Sequence, residues 1–161
     1  MNKQIAIFAS GCFWGTEYFF DKQDGVMFTD VGYIGGNIEN PTYKQVCSGN
    51  TGHAEAILVS FDSNIVSYEK LCKLFFETHN TEQENRQGPD IGTQYRSEIF
   101  YLNSQQKEVA QSLILTLKNK GFIIKTKISK ASKFWEAENY HQDYYKNNGG
   151  SPYCHTYEKK F

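Results

Sequence analysis

The sequence has no C-x-x-C pair. Its four cysteines, Cys12, Cys47, Cys72 and Cys154, stand far apart, a spacing that argues against a zinc site and against a secreted disulfide framework. In a reducing compartment such thiols are either inert core residues or catalytic ones. No apolar run approaches the roughly 18 residues of a membrane span, and no basic, apolar leader opens the chain. The expected setting is the cytoplasm, with no membrane contact. Charge of one sign is also missing: 17 basic and 18 acidic residues leave a net charge of −1, which offers no electrostatic footprint for nucleic acid. Three prolines punctuate 161 residues, and no repeat, low-complexity tract or linker interrupts them. The chain therefore reads as one domain over 1–161, long enough to bury a core without staples.

Residues 4–9, "QIAIFA", read as a strand broken by Gly11, after which Cys12 to about Asp21 form a helix with Cys12 in its first turn. Residues 26–34 and 53–61 are further strands. The second, "HAEAILVSF", carries apolar residues on both faces and belongs in the middle of a sheet. A helix over 67–79 has Ser67 as N-cap and Tyr68, Leu71, Cys72 and Phe75 on one stripe, which puts Cys72 in the core. Another runs over 104–120, capped by Ser104, with Ala110, Leu113, Ile114 and Leu117 inward and Gly121 beyond its last lysines. Strands are expected at 97–102 and 122–128; the remainder is aromatic, polar and interrupted by glycine. The pattern is α+β, with helices packed on a mixed or antiparallel sheet.

Chemistry concentrates around "ASGCFWG" at 9–15. A cysteine in the first turn of a helix meets unpaired backbone N–H groups and the positive end of the helix dipole, both of which favour the thiolate. The plain alternative is a small buried hydrophobe. Gly11 and Gly15 would let a substrate approach the backbone, and Phe13 and Trp14 would give it an apolar wall. In "SGNTGHAEAILVSF" at 48–61, alternation puts Glu55 on the face of Ile57, Val59 and Phe61. Desolvation there would keep the carboxyl protonated and able to donate; otherwise it reaches water at the strand end or pairs with His53. The loop "RQGPDIGTQYRS" at 86–97 supplies Asp90 and Tyr95, and "NPTY" at 40–43 supplies Tyr43 after a turn. A thiolate, a protonated acid, neutral hydroxyls and an aromatic pocket suit attack on a sulfur that bears an oxygen and a methyl group, as in methionine sulfoxide. The product would be a sulfenic acid on Cys12, which Cys154 in the glycine-rich "GGSPYCHTY" could condense to a disulfide.

Two other classes stay open on the residues alone. His53 or His141 paired with Cys12 would mark a cysteine hydrolase. A thiol pair that switches a binding surface would mark a redox-sensing interaction module. Sulfoxide reduction accounts for Glu55, the tyrosines and Cys154 together.

Six blocks in order, "GCFWG", "GYIGG", "NPTY", "SGNTGHAE", "RQGPDIGTQYRS" and "AENYHQDY" (137–144), closely resemble the A-type peptide methionine sulfoxide reductases. The resemblance runs from about Phe8 to Cys154 and implies a two-layer α/β sandwich of ferredoxin-like type. It implies Cys12 as nucleophile and Glu55 as proton donor to the sulfoxide oxygen. Tyr43 and Tyr95 would hydrogen-bond that oxygen, with Asp90 supporting through water. Phe13 and Trp14 would form the methyl pocket, and Cys154, in a tail of about 147–161, would resolve the sulfenic acid. The implied substrate is the S epimer of methionine sulfoxide, protein-bound or free, and the implied role is repair of oxidised proteins by a monomer. No bound cofactor is implied; thioredoxin, or dithiothreitol in vitro, is the reductant. Where some relatives carry a second recycling cysteine, this chain ends "HTYEKKF", so a single Cys12–Cys154 disulfide opened directly by thioredoxin is expected. Cys47, four residues after Tyr43 on a helical turn, is the rival resolver, and its expected burial counts against it.

Overall fold

Alternation along the strands decides which side of the sheet each residue meets. The structure, a computed structural model, describes residues 2–153 and 155–161. In β1 (Lys3–Ser10), Ala6 and Phe8 join the helical core while Ile7 and Ala9 join the cluster on the opposite face. In β3 (Ala54–Asp62), Ile57, Val59 and Phe61 take the helical side, and Ala54 and Ala56 the other. β3 pairs antiparallel with β1 on one edge and with β2 (Val26–Ile34) on the other, the central place that its two-sided apolar pattern predicts. The antiparallel β6 (Ser97–Tyr101) flanks β1, β7 (Lys127–Lys130) lies parallel to β6, and β8 (Trp135–Glu136) closes the β2 edge. The sheet order is β7-β6-β1-β3-β2-β8, and β4 (Arg86–Gln87) with β5 (Asp90–Ile91) forms a separate small ladder.

The helix α1 (Phe13–Phe20) carries the chain from β1 to β2 with β3 inserted between them, and α3 (Tyr68–Glu77) carries it from β3 to β6 with β1 between. These two interleaved β-α-β units make the ferredoxin-like βαββαβ arrangement. The longer α4 (Ser104–Asn119) then crosses from β6 to its parallel neighbour β7, a connection that cannot be made by a tight turn. The short α2 (Tyr43–Cys47) and α5 (Tyr144–Asn148) sit beside the start of α1. At the centre of the helical core the ring of Phe8 stacks on Phe20 at 5.2 Å, Phe75 at 5.3 Å and Tyr68 at 6.0 Å. The stripe expected on α3 is buried throughout, and burial pushes the Cys72 thiol up to about 12, as befits an inert core residue.

Three sequence expectations change. Cys12 is the N-cap of α1 and lies one residue ahead of the first turn. The cap of α4 is Asn103, whose side chain accepts the Gln106 N–H at 2.9 Å, and Ser104 is the first helical residue. The strand expected at 122–128 begins only at Lys127. Residues 122–126 cross the end of α3, where the Lys125 N–H donates to the Thr81 carbonyl at 2.7 Å and Phe122 and Ile124 pack against the core. Their apolar alternation serves packing without a neighbouring strand. The carboxy-terminal residues are strapped over the same end of α3: the Glu158 N–H donates to the Glu77 carbonyl at 2.7 Å and the Lys160 N–H to the Glu77 carboxylate at 2.9 Å.

Candidate active site

Gly11 turns the chain out of β1 with φ +97°, a left-handed conformation that a residue with a Cβ rarely adopts. Cys12 follows, buried at 6 % exposure, its carbonyl accepting the N–H groups of Gly15 at 3.1 Å and Thr16 at 3.3 Å. The amide of Phe13, one of the orphan donors of the helix start, is given to Glu55 Oε1 at 3.2 Å. Glu55 comes from β3, directly across from Tyr33 on β2, and is 1 % exposed. Its Oε2 has no hydrogen-bond partner among the described residues. Burial is the main force pushing its pKa up to about 8; the Phe13 N–H opposes the shift and the negative charge of Asp90 adds to it. At neutral pH Glu55 therefore carries a proton.

Two tyrosines surround this acid with neutral hydroxyls. Tyr95, at the end of the 3-10 turn Thr93–Tyr95, is held above its ordinary pKa by burial and by the charges of Glu55, Cys47, Asp90 and Cys12. Tyr43 opens α2 and is raised by burial and then by its interaction with Cys47, with Glu55 adding to both. Glu138 locks this wall in place, accepting the Tyr33 hydroxyl and the Tyr43 N–H at 2.9 Å each. Cys47 is exposed, which corrects the burial expected for it: α2 is a single turn, and of its residues only Val46 is fully buried. The sulfur itself is partly desolvated, and this raises the thiol pKa against a smaller opposing effect from Tyr43.

The ring of Phe13 is packed among Tyr33 at 5.7 Å, Tyr43 at 6.5 Å and His141 at 5.1 Å. Trp14 stacks on Tyr144 at 3.7 Å with 6° between the planes, and its Nε1–H donates to His141 Nδ1 at 2.9 Å. That bond leaves the proton of the neutral imidazole on Nε2, which is buried without a partner among the described residues. His53 accepts the Gly36 N–H through Nδ1 at 3.0 Å and donates through Nε2 to the Ile38 carbonyl at 2.7 Å. His141 is thus committed to the wall of the site, and His53 to the backbone at Gly36 and Ile38. Glu17, one turn after Phe13, accepts the Thr29 hydroxyl at 2.9 Å and the Asp143 N–H at 2.7 Å. It fixes the start of α5 and so the stack of Tyr144 on Trp14. Burial pushes the Glu17 pKa up to about 7.

Asp90 accepts the Tyr153 hydroxyl on both carboxylate oxygens, at 3.0 and 2.9 Å. Cys154, the expected resolver, lies outside the described residues. His155, next in the chain, is 2 % exposed and donates through Nε2 to the Ser10 carbonyl at 2.7 Å. The space over the two glycines, expected to admit substrate, is filled. A Cβ on Gly11 would stand 2.7 Å from that of Gln87, and one on Gly15 would overlap the His155 ring. Glu138, Tyr153, His155 and Gln87 were not singled out in the sequence. The first lies inside the "AENYHQDY" block, and the next two flank Cys154, which is the signal that pointed to them.

Comparison with known proteins gives a consistent answer. The family described as peptide methionine sulfoxide reductase matches residues 4–161. A peptide methionine sulfoxide reductase MsrA from Deinococcus radiodurans is 51 % identical over 155 residues, which are 94 % of this chain and 75 % of that protein. Among solved structures, Mxr1 from Saccharomyces cerevisiae in reduced form superposes with a TM-score of 0.90 at 34 % identity, covering 99 % of this chain and 93 % of the other. Methionine sulfoxide reductase A of Corynebacterium diphtheriae gives 0.83 at 32 % identity, covering 94 % and 79 %. The yeast protein in complex with Trx2 shares the fold at a TM-score of 0.65 and 23 % identity, covering 98 % and 91 %.

Proposed function

The chain belongs to the peptide methionine sulfoxide reductase family, and from that premise we propose a mechanism in which Cys12 attacks sulfur and Glu55 supplies the proton. The protein is an oxidoreductase that reduces methionine sulfoxide. The observation that carries the residue assignment is the buried Glu55 carboxyl, protonated at neutral pH and tied to the amide that follows Cys12. The Cys12 thiolate, favoured by its place at a helix start, forms a bond to the sulfoxide sulfur. Glu55 passes its proton to the oxygen; as the S–O bond breaks, the hydroxide so formed adds to the Cys12 sulfur and the Cys12–methionine S–S bond breaks. Tyr43 and Tyr95 donate to that oxygen without bringing charge, Asp90 supports them, and Phe13 with Trp14 receives the methyl group. Methionine leaves two electrons richer, and Cys12 is left as the sulfenic acid.

Cys154, carried by the tail at about 147–161, condenses with that acid to a disulfide and releases water. Thioredoxin reopens it; the capture of yeast Mxr1 with Trx2 supports this choice of reductant. The cycle needs a reducing compartment, and we assign it to the cytoplasm, where a monomer repairs oxidised proteins and reduces the free amino acid. The S epimer is the substrate, since the two epimers are served by separate enzymes. The test is methionine formation from a peptide carrying either epimer, with dithiothreitol present and a Cys12→Ser protein alongside. Consumption of the S epimer alone, lost in Cys12→Ser, is expected; equal consumption of both, or full activity without the thiol, overturns the reading.

A further inference from the structure

One imidazole closes the turn that carries the nucleophile. His155 donates to the carbonyl of Ser10, its ring fills the place of a side chain on Gly15, and its Cε1 lies 3.6 Å from the Cβ position of Gly11. Ser10, Gly11 and Gly15 bracket Cys12 in the sequence, and His155 is the covalent neighbour of Cys154. On the other side of Cys154 the Tyr153 hydroxyl is held by Asp90. The tail as a whole does not need this plug. Residues 158 and 160 already fasten it to Glu77, and the Lys160 Nζ donates to the His79 carbonyl at 3.1 Å. His155 instead fixes its own point of the tail on the turn that carries Cys12. A neutral ring whose Nε2–H is hydrogen-bonded can be buried against bare backbone, and burial keeps His155 neutral. Only glycine at 15 leaves room for it.

We infer that His155 is a positioning residue for the second half-reaction, docking residues 153–155 at the Cys12 turn so that the Cys154 thiol meets the Cys12 sulfenic acid. The inference rests on the reading of Cys154 as resolver. In that step the Cys154 sulfur attacks the Cys12 sulfur and the S–S bond forms as the S–O bond breaks. The hydroxyl leaves as water with the proton of the thiol. The sulfenic acid itself is the oxidant, so nothing outside the two residues is consumed. His155 touches neither reacting atom, and sulfoxide reduction should proceed without it.

The experiment is a single turnover without reductant, following methionine by chromatography and Cys12 by dimedone trapping and intact mass. His155→Ala should release one equivalent of methionine at the wild-type rate. Its sulfenic acid should then persist about tenfold longer or more, since lost proximity acts on that step alone. Thioredoxin-supported turnover should fall with it while dithiothreitol-supported turnover survives. Gly15→Ala expels the ring from the opposite side without weakening the helix. It should reproduce the defect and add nothing to it in the His155→Ala background. Disulfide formation at the wild-type rate in His155→Ala overturns the inference. So does a parallel loss of methionine formation, disulfide formation and Tm, which makes the ring a prop of the fold. If wild type itself yields no Cys12–Cys154 link, the resolver reading fails first, before any variant is compared.

Discussion

Glu55 takes the amide N–H of Phe13 on one carboxyl oxygen at 3.2 Å and leaves the other without a partner among the described residues. The bonded oxygen ties the acid to the turn that bears Cys12. The second oxygen is the one left to carry a proton toward a ligand. Because burial sets its pKa near 8, the acid loses that proton just above physiological pH. The rate of methionine formation in a single turnover should accordingly fall as pH rises through about 8. Glu55→Gln should lose roughly 10²–10⁴-fold of that rate, the usual worth of general acid catalysis, and should lose this alkaline limb with it. A limb that survives in Glu55→Gln would belong to another group.

The same shift makes stability depend on pH. A carboxyl whose folded pKa lies above its unfolded value holds a proton that the unfolded chain gives up. Its stabilisation is complete below the unfolded value and is lost as pH rises through the folded one. Glu55 acts between about 4.5 and 8, and Glu17, with the same cause, between about 4.5 and 7. The Tm of the wild-type protein should therefore decline across this window. At pH above about 8, Glu55→Gln should melt higher than wild type, by about 5 °C or more, while being nearly inactive. Thermal melts at acid and alkaline pH decide this; a variant less stable than wild type at both would show that the carboxyl is not strained by its burial.

Trp14 holds two partners at once, a ring on its face and an imidazole at its edge. Trp14→Phe keeps an aromatic surface for Tyr144 but removes the donor to His141 Nδ1. The imidazole is then free to exchange tautomers or turn, and the wall shared with Phe13 and Tyr43 loosens. KM for a sulfoxide peptide should rise about fivefold, the worth of one hydrogen bond, with kcat changed less. Steady-state kinetics check it: a fall in kcat at constant KM would place Trp14 in the chemistry itself.

How legible the molecule was follows from the length over which each signal acts. The central place of β3 and the buried stripe of α3 were readable because their periods repeat over nine and ten residues. Glu55 was readable because the parity of Ile57, Val59 and Phe61 carries it onto the helical face. Cys47 was misjudged because α2 has five residues, too few to show a period. The strand expected at 122–128 shows the limit of alternation, which reports an apolar face but not whether another strand lies beside it. The fit of His155 into Gly15 joins positions 140 residues apart, and nothing local in either stretch announces the other. Gly11 and Gly15 looked like room for substrate for that reason.

The two candidate resolvers, finally, differ in what their surroundings allow. Cys47 lies within electrostatic reach of Tyr95 and Tyr43, so position alone does not dismiss it. Its thiol, however, is raised by desolvation and, against the opposing hydrogen bond of Tyr43, by the negative charge of Glu138, which keeps it from the nucleophilic thiolate form. In the sequence Cys154 stands between Tyr153, whose hydroxyl is held by Asp90, and His155, anchored at the Cys12 turn. Cys154→Ser should thus reduce about one equivalent of sulfoxide and stall as the sulfenic acid, losing thioredoxin-supported turnover while small thiols still reach Cys12. Cys47→Ser should keep thioredoxin-supported turnover. Peptide mapping of wild type after one turnover should show two hydrogens lost and a Cys12–Cys154 link. A Cys12–Cys47 link, with turnover on thioredoxin indifferent to Cys154→Ser, would transfer the role to Cys47 and leave the tail as a cover over the glycines.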